Sequence, residues 1–281
     1  MKKNSVVAIL KGEEKFLDEW LVYHRMIGID HFYLYDDDPL FPLEKFLYPH
    51  RKYVTVINWY GMDVEMPGNM NQTKAYMHAV THHVHPYEWV VFIDADEFIV
   101  LRKHKSVHKF LSGFDEHCSA VSLFWHIFGH NGFYEDPPGL VTTSLTRRML
   151  KPGSQMKTFN RPGAIAGIST PHYCHLKSGL WLDANHRPFN YYPYPGLTDT
   201  AHINHYQCRS FVNWINRAKR GDVNFKNEQA PQEHHWRLTE ESCLRHFVAT
   251  VAKDRNEFVD EYMLRYKKEI ESGIKKIRKN I

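Results

Sequence analysis

Glu88-Trp89-Val90-Val91-Phe92-Ile93 runs straight into Asp94-Ala95-Asp96-Glu97-Phe98, and this stretch decides how the rest of the chain reads. Six residues, five of them β-favouring, are short enough for a strand buried on both faces. Three carboxylates then follow at its carboxyl end. Alternate side chains of an extended chain share a face, so Asp94 and Asp96 are expected to point the same way. Acids crowded against an apolar strand are costly without a cation or hydrogen bonds. A divalent metal that prefers hard oxygen ligands, Mn2+ or Mg2+, is one compensation. The other is that these acids cap the following segment and pair with nearby basic residues.

Working outward, the segments on the amino-terminal side alternate. Ser5–Leu10 reads as a strand, and Glu13–Ile27 places Phe16, Leu17, Trp20, Leu21, His24 and Ile27 at helical spacing before Gly28. His31–Tyr35 is a strand stopped by Asp36-Asp37-Asp38-Pro39, Pro42–Tyr48 a short helix, Tyr53–Asn58 a strand and Asn71–His83 a helix. Such a series predicts an α/β fold, a mainly parallel sheet flanked by helices. Ligands of such sheets bind beyond the carboxyl ends of the strands. Glu13/Glu14, Asp36–Asp38 and Asp94–Glu97 all fall at those ends.

Beyond Leu101 the pattern loosens. Ser106–Phe114 reads as a helix and Ser119–Trp125 as a strand; residues 126–206 are loop-rich, with short strands expected at Leu140–Thr143, Met156–Phe159 and Ala201–Ile203. A long irregular stretch inside a compact protein points to function. Phe211–Arg220, Glu240–Ala252 and Asn256–Ile270 read as helices. The expected organisation is one catalytic domain over 1–221, with halves 1–101 and 102–221, and a helical C-terminal extension over 222–281.

The 281 residues carry 36 Lys and Arg against 32 Asp and Glu, a net +4, and 43% of them are hydrophobic. That composition is globular. Seven basic and two acidic residues lie between Arg265 and Ile281, so this segment is +5 and residues 1–264 are −1. A nucleic-acid partner is not expected of a near-neutral body. A basic segment interleaved with Ile270, Ile274 and Ile277 suits a helix lying on an anionic membrane surface, or a solvated terminal helix. No apolar run approaches the roughly 20 residues of a spanning helix. The N-terminus enters a strand-like run without a leader core, and the four cysteines form no CxxC pair, so a cytoplasmic protein, peripheral at the inner face of the membrane, is expected.

Several strings together resemble a known family. Lys11-Gly12-Glu13 with Glu19-Trp20 and His24, followed by Gly28-Ile29-Asp30-His31-Phe32-Tyr33-Leu34-Tyr35-Asp36, resembles the opening of bacterial family 2 glycosyltransferases and the related family 92 enzymes. Trp89–Phe98 resembles their W-x-x-F-x-D-x-D-E-F motif, and Trp125 with Phe128-Gly129 their W-x-x-F-G segment. Ile203-Asn204-His205-Tyr206, Arg209-Ser210 and Lys219-Arg220-Gly221 resemble the closing block. Gly12 departs from the usual Asn. The resemblance implies a GT-A fold, Rossmann-like, acting as a metal-dependent inverting glycosyltransferase on a nucleotide-sugar, UDP-linked, with a glycan or glycolipid acceptor of surface polysaccharide or lipopolysaccharide synthesis. It implies Glu13 and Asp36 beside the nucleoside, Asp94 on the ribose, Asp94 and Asp96 on the metal-diphosphate, and His205 as a later metal ligand.

Lys11, Gln72 and Lys74 are further candidate donor contacts, and Lys157, Arg147 and Arg148 candidate counter-charges. An inverting transfer also needs a general base; Asp199, six residues before His205, is the first candidate, with Glu228 and Asp136 behind it. Phe133, Tyr134, Trp181, Tyr191, Tyr192 and Tyr194 suit sugar stacking or a loop core. Two other classes remain open: a metal-dependent hydrolase using Asp94 and Asp96, and a non-catalytic module with zinc held among His172, Cys174, His175, His202, His205 and Cys208.

Overall fold

The structure is a computed structural model that describes residues 3–41, 43–62, 65, 70–189, 196–220 and 239–279. Glu228, Tyr191, Tyr192, Tyr194 and Gly221 lie outside the described residues. The first half runs β1 (Asn4–Leu10), α1 (Glu14–Met26), β2 (His31–Asp36), α2 (Leu43–Phe46), β3 (Val54–Asn58), α3 (Asn71–His82), β4 (Trp89–Phe92) and β5 (Glu97–Leu101). It continues with α4 (Val107–Leu111), β6 (Cys118–Ile127), α5 (Val141–Ser144), β7 (Arg147–Arg148), β8 (Met156–Asn160), β9 (Ile165–Thr170), β10 (Tyr173–Leu176), β11 (Leu180–Asp183) and β12 (Ala201–His205). The last are α6 (Phe211–Arg220), α7 (Glu240–His246), α8 (Ala252–Asp254), β13 (Phe258–Val259) and α9 (Lys267–Arg278).

Buried along its whole length, β1 shows why the sheet has two covered faces. Val6, Ala8 and Leu10 enter one core with Phe16, Leu17, Trp20 and Leu21 of α1; Val7 and Ile9 enter another with Ala75, Tyr76 and Ala79 of α3. That is the two-residue period of a strand sandwiched between helices. Among the described residues the main sheet runs β3-β2-β1-β4-β8-β6-β12-β5, with β11 also on β6. β3, β2, β1 and β4 are mutually parallel, and so are β6, β11 and β12; β8 and β5 run antiparallel to their neighbours. The expected α/β fold with a mainly parallel sheet is present.

Three local differences have physical causes. Leu140–Thr143 forms the short α5 instead of a strand, because buried Glu19 accepts the Val141 and Thr142 N–H groups at 2.7 and 2.9 Å and the Thr142 hydroxyl at 2.6 Å. Asn256–Ile270 is not one helix: β13 pairs with β7, a 3₁₀ turn spans Tyr262–Tyr266, and α9 then runs on to Arg278. Phe98–Leu101, too short to separate from the acidic motif by pattern, pairs with β12 as β5.

The C-terminal part is not an appendage. Ile270 is fully buried, Ile274 and Ile277 pack on the main core, and Arg278 binds Asp18 of α1 at 2.6 Å. The apolar stripe expected to meet a membrane is therefore turned into the protein. Arg265, Lys267, Lys268, Lys275, Lys276 and Lys279 remain exposed on the outside. No helix among the described residues is long and apolar enough to cross a membrane.

Candidate active site

Strand β4 stops at Phe92, and Asp94–Asp96 form a turn closed by the Glu97 N–H on the Asp94 carbonyl at 3.0 Å. The two-residue alternation therefore ends before the motif, and its two aspartates have separate partners. Asp94 Oδ1 accepts from Gln72 Nε2 at 2.7 Å, and Oδ2 from Lys157 Nζ at 3.1 Å. Lys157, on β8, is wholly buried; it also meets Glu97 Oε2 at 3.4 Å and the Pro171 carbonyl at 3.1 Å. Burial works against its charge, but Asp94 and then Glu97 outweigh that and hold the ammonium well above its ordinary range. Burial pushes the Glu97 carboxyl well up, although Lys157 opposes it.

Asp96 faces the other way, toward β12 and α6. Arg217 Nη1 donates to its Oδ2 at 2.7 Å, and His205 Nε2 lies 3.5 Å from its Oδ1, which has no hydrogen-bond partner among the described residues. Burial would raise this carboxyl, but His205 and Arg217 outweigh it and hold it well below the usual range. The His205 ring rests on Trp125, 4.3 Å between centroids.

The expected metal set thus contracts. Asp94 is committed to Gln72 and Lys157, and among the described residues no three His, Cys, Asp or Glu side chains are arranged to hold a metal. An unpartnered buried carboxylate oxygen beside an imidazole nitrogen still fits a divalent ion that draws its remaining ligands from phosphate and water, the habit of Mg2+. Asp96 and His205 are the residues that would hold it.

The neighbouring strand ends converge as expected. Lys11, Gly12, Glu13, Asp36 and Asp38 line one crevice. Gly12 has φ 65°, a left-handed conformation that Asn also tolerates, and its N–H donates to Asp38 Oδ2 at 3.1 Å. Asn71 bridges the ends of two strands, accepting from Trp59 Nε1 at 2.8 Å and donating to Asp37 at 3.2 Å. Glu13 receives Arg209 at 2.7 Å. Asp136 receives Lys15 at 3.0 Å and Ser210 Oγ at 2.9 Å, which puts it on the same side.

Other candidates are not brought here. Asp199 pairs with Lys103 at 2.5 Å, beyond the start of β12, while His205 closes that strand beside Glu97. Six extended residues span about 20 Å, so Asp199 is at the wrong end of the sheet for a base acting at Asp96. Lys74 sits two positions after Gln72, about 200° around the helix, and so projects away from Asp94. Arg148 is taken by Asp260 at 3.0 Å, and the exposed Arg147 reaches the Asn256 carbonyl at 3.4 Å. Cys174 belongs to the core under α3 and Cys208 to a separate C-terminal cluster, so the zinc set is dispersed. Tyr134 stacks on Phe211, and Trp181 on Phe189 while donating to Ser122 at 2.6 Å. Sequence reasoning missed Arg217 altogether, since a lone arginine on an amphipathic helix carries no signal of its target.

The strings at the start of the chain that carry the family resemblance are mostly scaffolding. Trp20 Nε1 donates to the Glu97 carbonyl at 2.8 Å, Tyr23 to the Ile99 carbonyl at 2.7 Å, and the Ile99 N–H donates to His24 Nε2 at 3.2 Å. Tyr262 adds a bond to the Leu101 carbonyl at 2.8 Å. These side chains hold β5, and with it the acidic turn. Gly129 is required by close approach: a Cβ there would stand 2.4 Å from the Arg255 carbonyl oxygen.

Residues 7–247 match glycosyltransferase family 92. A family 92 protein of Oryza sativa subsp. japonica is 29% identical over 182 residues, covering 62% of this chain and 30% of that protein. One of Ricinus communis is 26% identical over 183 residues, covering 62% and 32%. The chain thus spans about a third of the length of these relatives, which are plant proteins and lend nothing to the bacterial side of the resemblance. Glucosyl-3-phosphoglycerate synthase from Mycobacterium tuberculosis, solved with phosphoglyceric acid, aligns over 58% of each chain at 16% identity and a TM-score of 0.36. At that level the likeness does not bear on function. With two-thirds of its length and more inside the family's pattern, the chain belongs to glycosyltransferase family 92.

Proposed function

We propose that this chain transfers a sugar from a UDP-linked nucleotide-sugar to a glycan or glycolipid acceptor, with inversion and with Mn2+ or Mg2+. The observation that carries the proposal is the convergence of Glu13, Asp36–Asp38, Asp94, Asp96 and His205 at the carboxyl ends of neighbouring strands in a family 92 chain. The strand-end residues Lys11, Glu13 and Asp36 are assigned to the nucleoside. Asp94, with one oxygen on buried Lys157 and about a third of its side chain exposed, is preorganised to accept a hydroxyl of ribose or sugar. Asp96 and His205 are assigned to the divalent ion, which when bound would neutralise the diphosphate as a leaving group. Asp136, which Lys15 and Ser210 bring to the side of Glu13 and Arg209, is the base candidate among the described residues. A hydrolase would need Asp96 but not the acidic ends of the first two strands. Contact with an anionic membrane, where it occurs, is assigned to the exposed lysines of α9 alone.

A thermal-shift panel of nucleotide-sugars with Mn2+ tests the proposal on the wild type and Asp96→Ala. A UDP-sugar is expected to stabilise the wild type and to lose most of that shift in the variant. No stabilisation by any nucleotide-sugar, or a full shift retained by Asp96→Ala, refutes it.

A further inference from the structure

Resting on the nucleotide-sugar function above, we propose that Arg217 is an exchangeable counter-ion. Without donor it occupies the Asp96 carboxylate, and when a nucleoside diphosphate arrives with its divalent cation it gives up Asp96 and takes the diphosphate.

Asp96 has two oxygens with unequal situations. Oδ2 is held by Arg217 Nη1 at 2.7 Å; Oδ1 has no hydrogen-bond partner among the described residues and lies 3.5 Å from His205 Nε2. A cation held by Asp96 and His205 would therefore meet the guanidinium charge beside it, and the two cations would compete for one carboxylate. The partner able to leave is Arg217: a quarter of its side chain is exposed, against 5% for Asp96. Its second bond, from Nη1 to the Gln207 carbonyl at 3.2 Å, lies outside the carboxylate pair and tethers the arginine nearby. A freed guanidinium presents a planar fork that suits phosphate oxygens.

The helix that carries Arg217 packs apart from the two sheet cores. Trp214 and Ala218 of α6 pack with Cys208, Cys243, Phe247 and Val251 in a cluster separate from the two cores that sandwich the sheet. Arg209, by contrast, is fixed at the base of this segment on Glu13 at 2.7 Å, with its guanidinium 4.0 Å from the Phe16 ring. One arginine is anchored and the other is poised on a separate packing unit.

The test is a Mn2+ titration read by the loss of the free-ion EPR signal, on full-length wild type, Arg217→Met and Arg217→Lys, each with and without saturating UDP. Arg217→Met is expected to bind Mn2+ at least about tenfold more tightly than wild type without UDP, and about tenfold more weakly with it, since each tenfold is about 1.4 kcal/mol. Arg217→Lys, which keeps the charge but not the fork, is expected to fall between in both conditions and stands in if the Met variant does not fold. Changes of the same sign in both conditions, or none in either, overturn the exchange and leave the donor assignment standing. A wild type that shows no UDP-dependent Mn2+ binding refutes the donor assignment itself.

Discussion

Replacing Lys157 with Met tests whether the acidic turn is held by a buried cation. In the wild type the ammonium is wholly buried, 3.1 Å from Asp94 and 3.4 Å from Glu97. At an effective dielectric of about 20, a unit pair at that longer distance is worth about 5 kcal/mol. Removing one partner of a buried pair costs about 3–5 kcal/mol in practice. Asp94 can turn to solvent and adds little, so the cost falls on Glu97, which is fully buried. Its carboxyl is already raised by burial, and losing Lys157 raises it further. A raised carboxyl stabilises the fold fully below its unfolded value and loses that contribution as pH climbs through the folded one. Lys157→Met should therefore lose about 3–5 kcal/mol at pH 8 and clearly less at pH 5. Chemical denaturation at both pH values gives the free energies, and Lys157→Met/Glu97→Gln should recover at least half of the loss at pH 8. A double variant no more stable than Lys157→Met, or a loss that does not shrink at pH 5, refutes the pairing.

Acid should weaken the fold through its buried imidazoles. Burial lowers His24 to about 3 and His202 to about 4, from 6.5, so stability present above pH 6.5 should drain as pH falls toward 4, by about 3 kcal/mol for His202 alone; a denaturation series in which His202→Gln keeps the full slope would contradict this. Ile270→Asp should unfold or strongly destabilise the chain, because that side chain is wholly buried, while Lys→Gln changes at 267, 268, 275, 276 and 279 together should leave the melting temperature within a few degrees and remove the sedimentation with anionic vesicles that the proposed α9 contact predicts. If the Ile270 variant melts like wild type, the placement of α9 is wrong. Gly129→Ala should cost about 1–3 kcal/mol through overpacking against the Arg255 carbonyl, read as a fall in denaturation midpoint; an unchanged midpoint would mean that the 255–256 segment yields freely.

The alternation of segments in the first hundred residues made the parallel half of the sheet legible, because each strand buried on both faces is a continuous apolar run and each helix has a single apolar stripe. The acidic strand ends were legible for the same reason: they interrupt those runs. Which acid does what was not, since Asp94 and Asp96 stand on a turn where the alternation of a strand no longer applies. Their division of labour depends on Lys157 and Arg217, residues 63 and 121 positions away. Asp199 misled because closeness in sequence to His205 becomes distance along an extended strand. The basic end of the chain misled through composition: its isoleucines match a membrane stripe and a core stripe equally well, and only the facing surface of α1 distinguishes them.

Among the described residues strand β5 ends the sheet, and an open sheet edge is a row of unpaired donors and acceptors that invites another chain to join it. Here Trp20, Tyr23, His24 and Tyr262 stand where that chain would dock, each bonded to the β5 backbone or to its carbonyls. Protection against misassociation and alignment of the reactive turn are thereby one and the same set of bonds. A substitution at Trp20 or His24 would be expected to surface first as aggregation and only then as lost activity, although both side chains are fully buried.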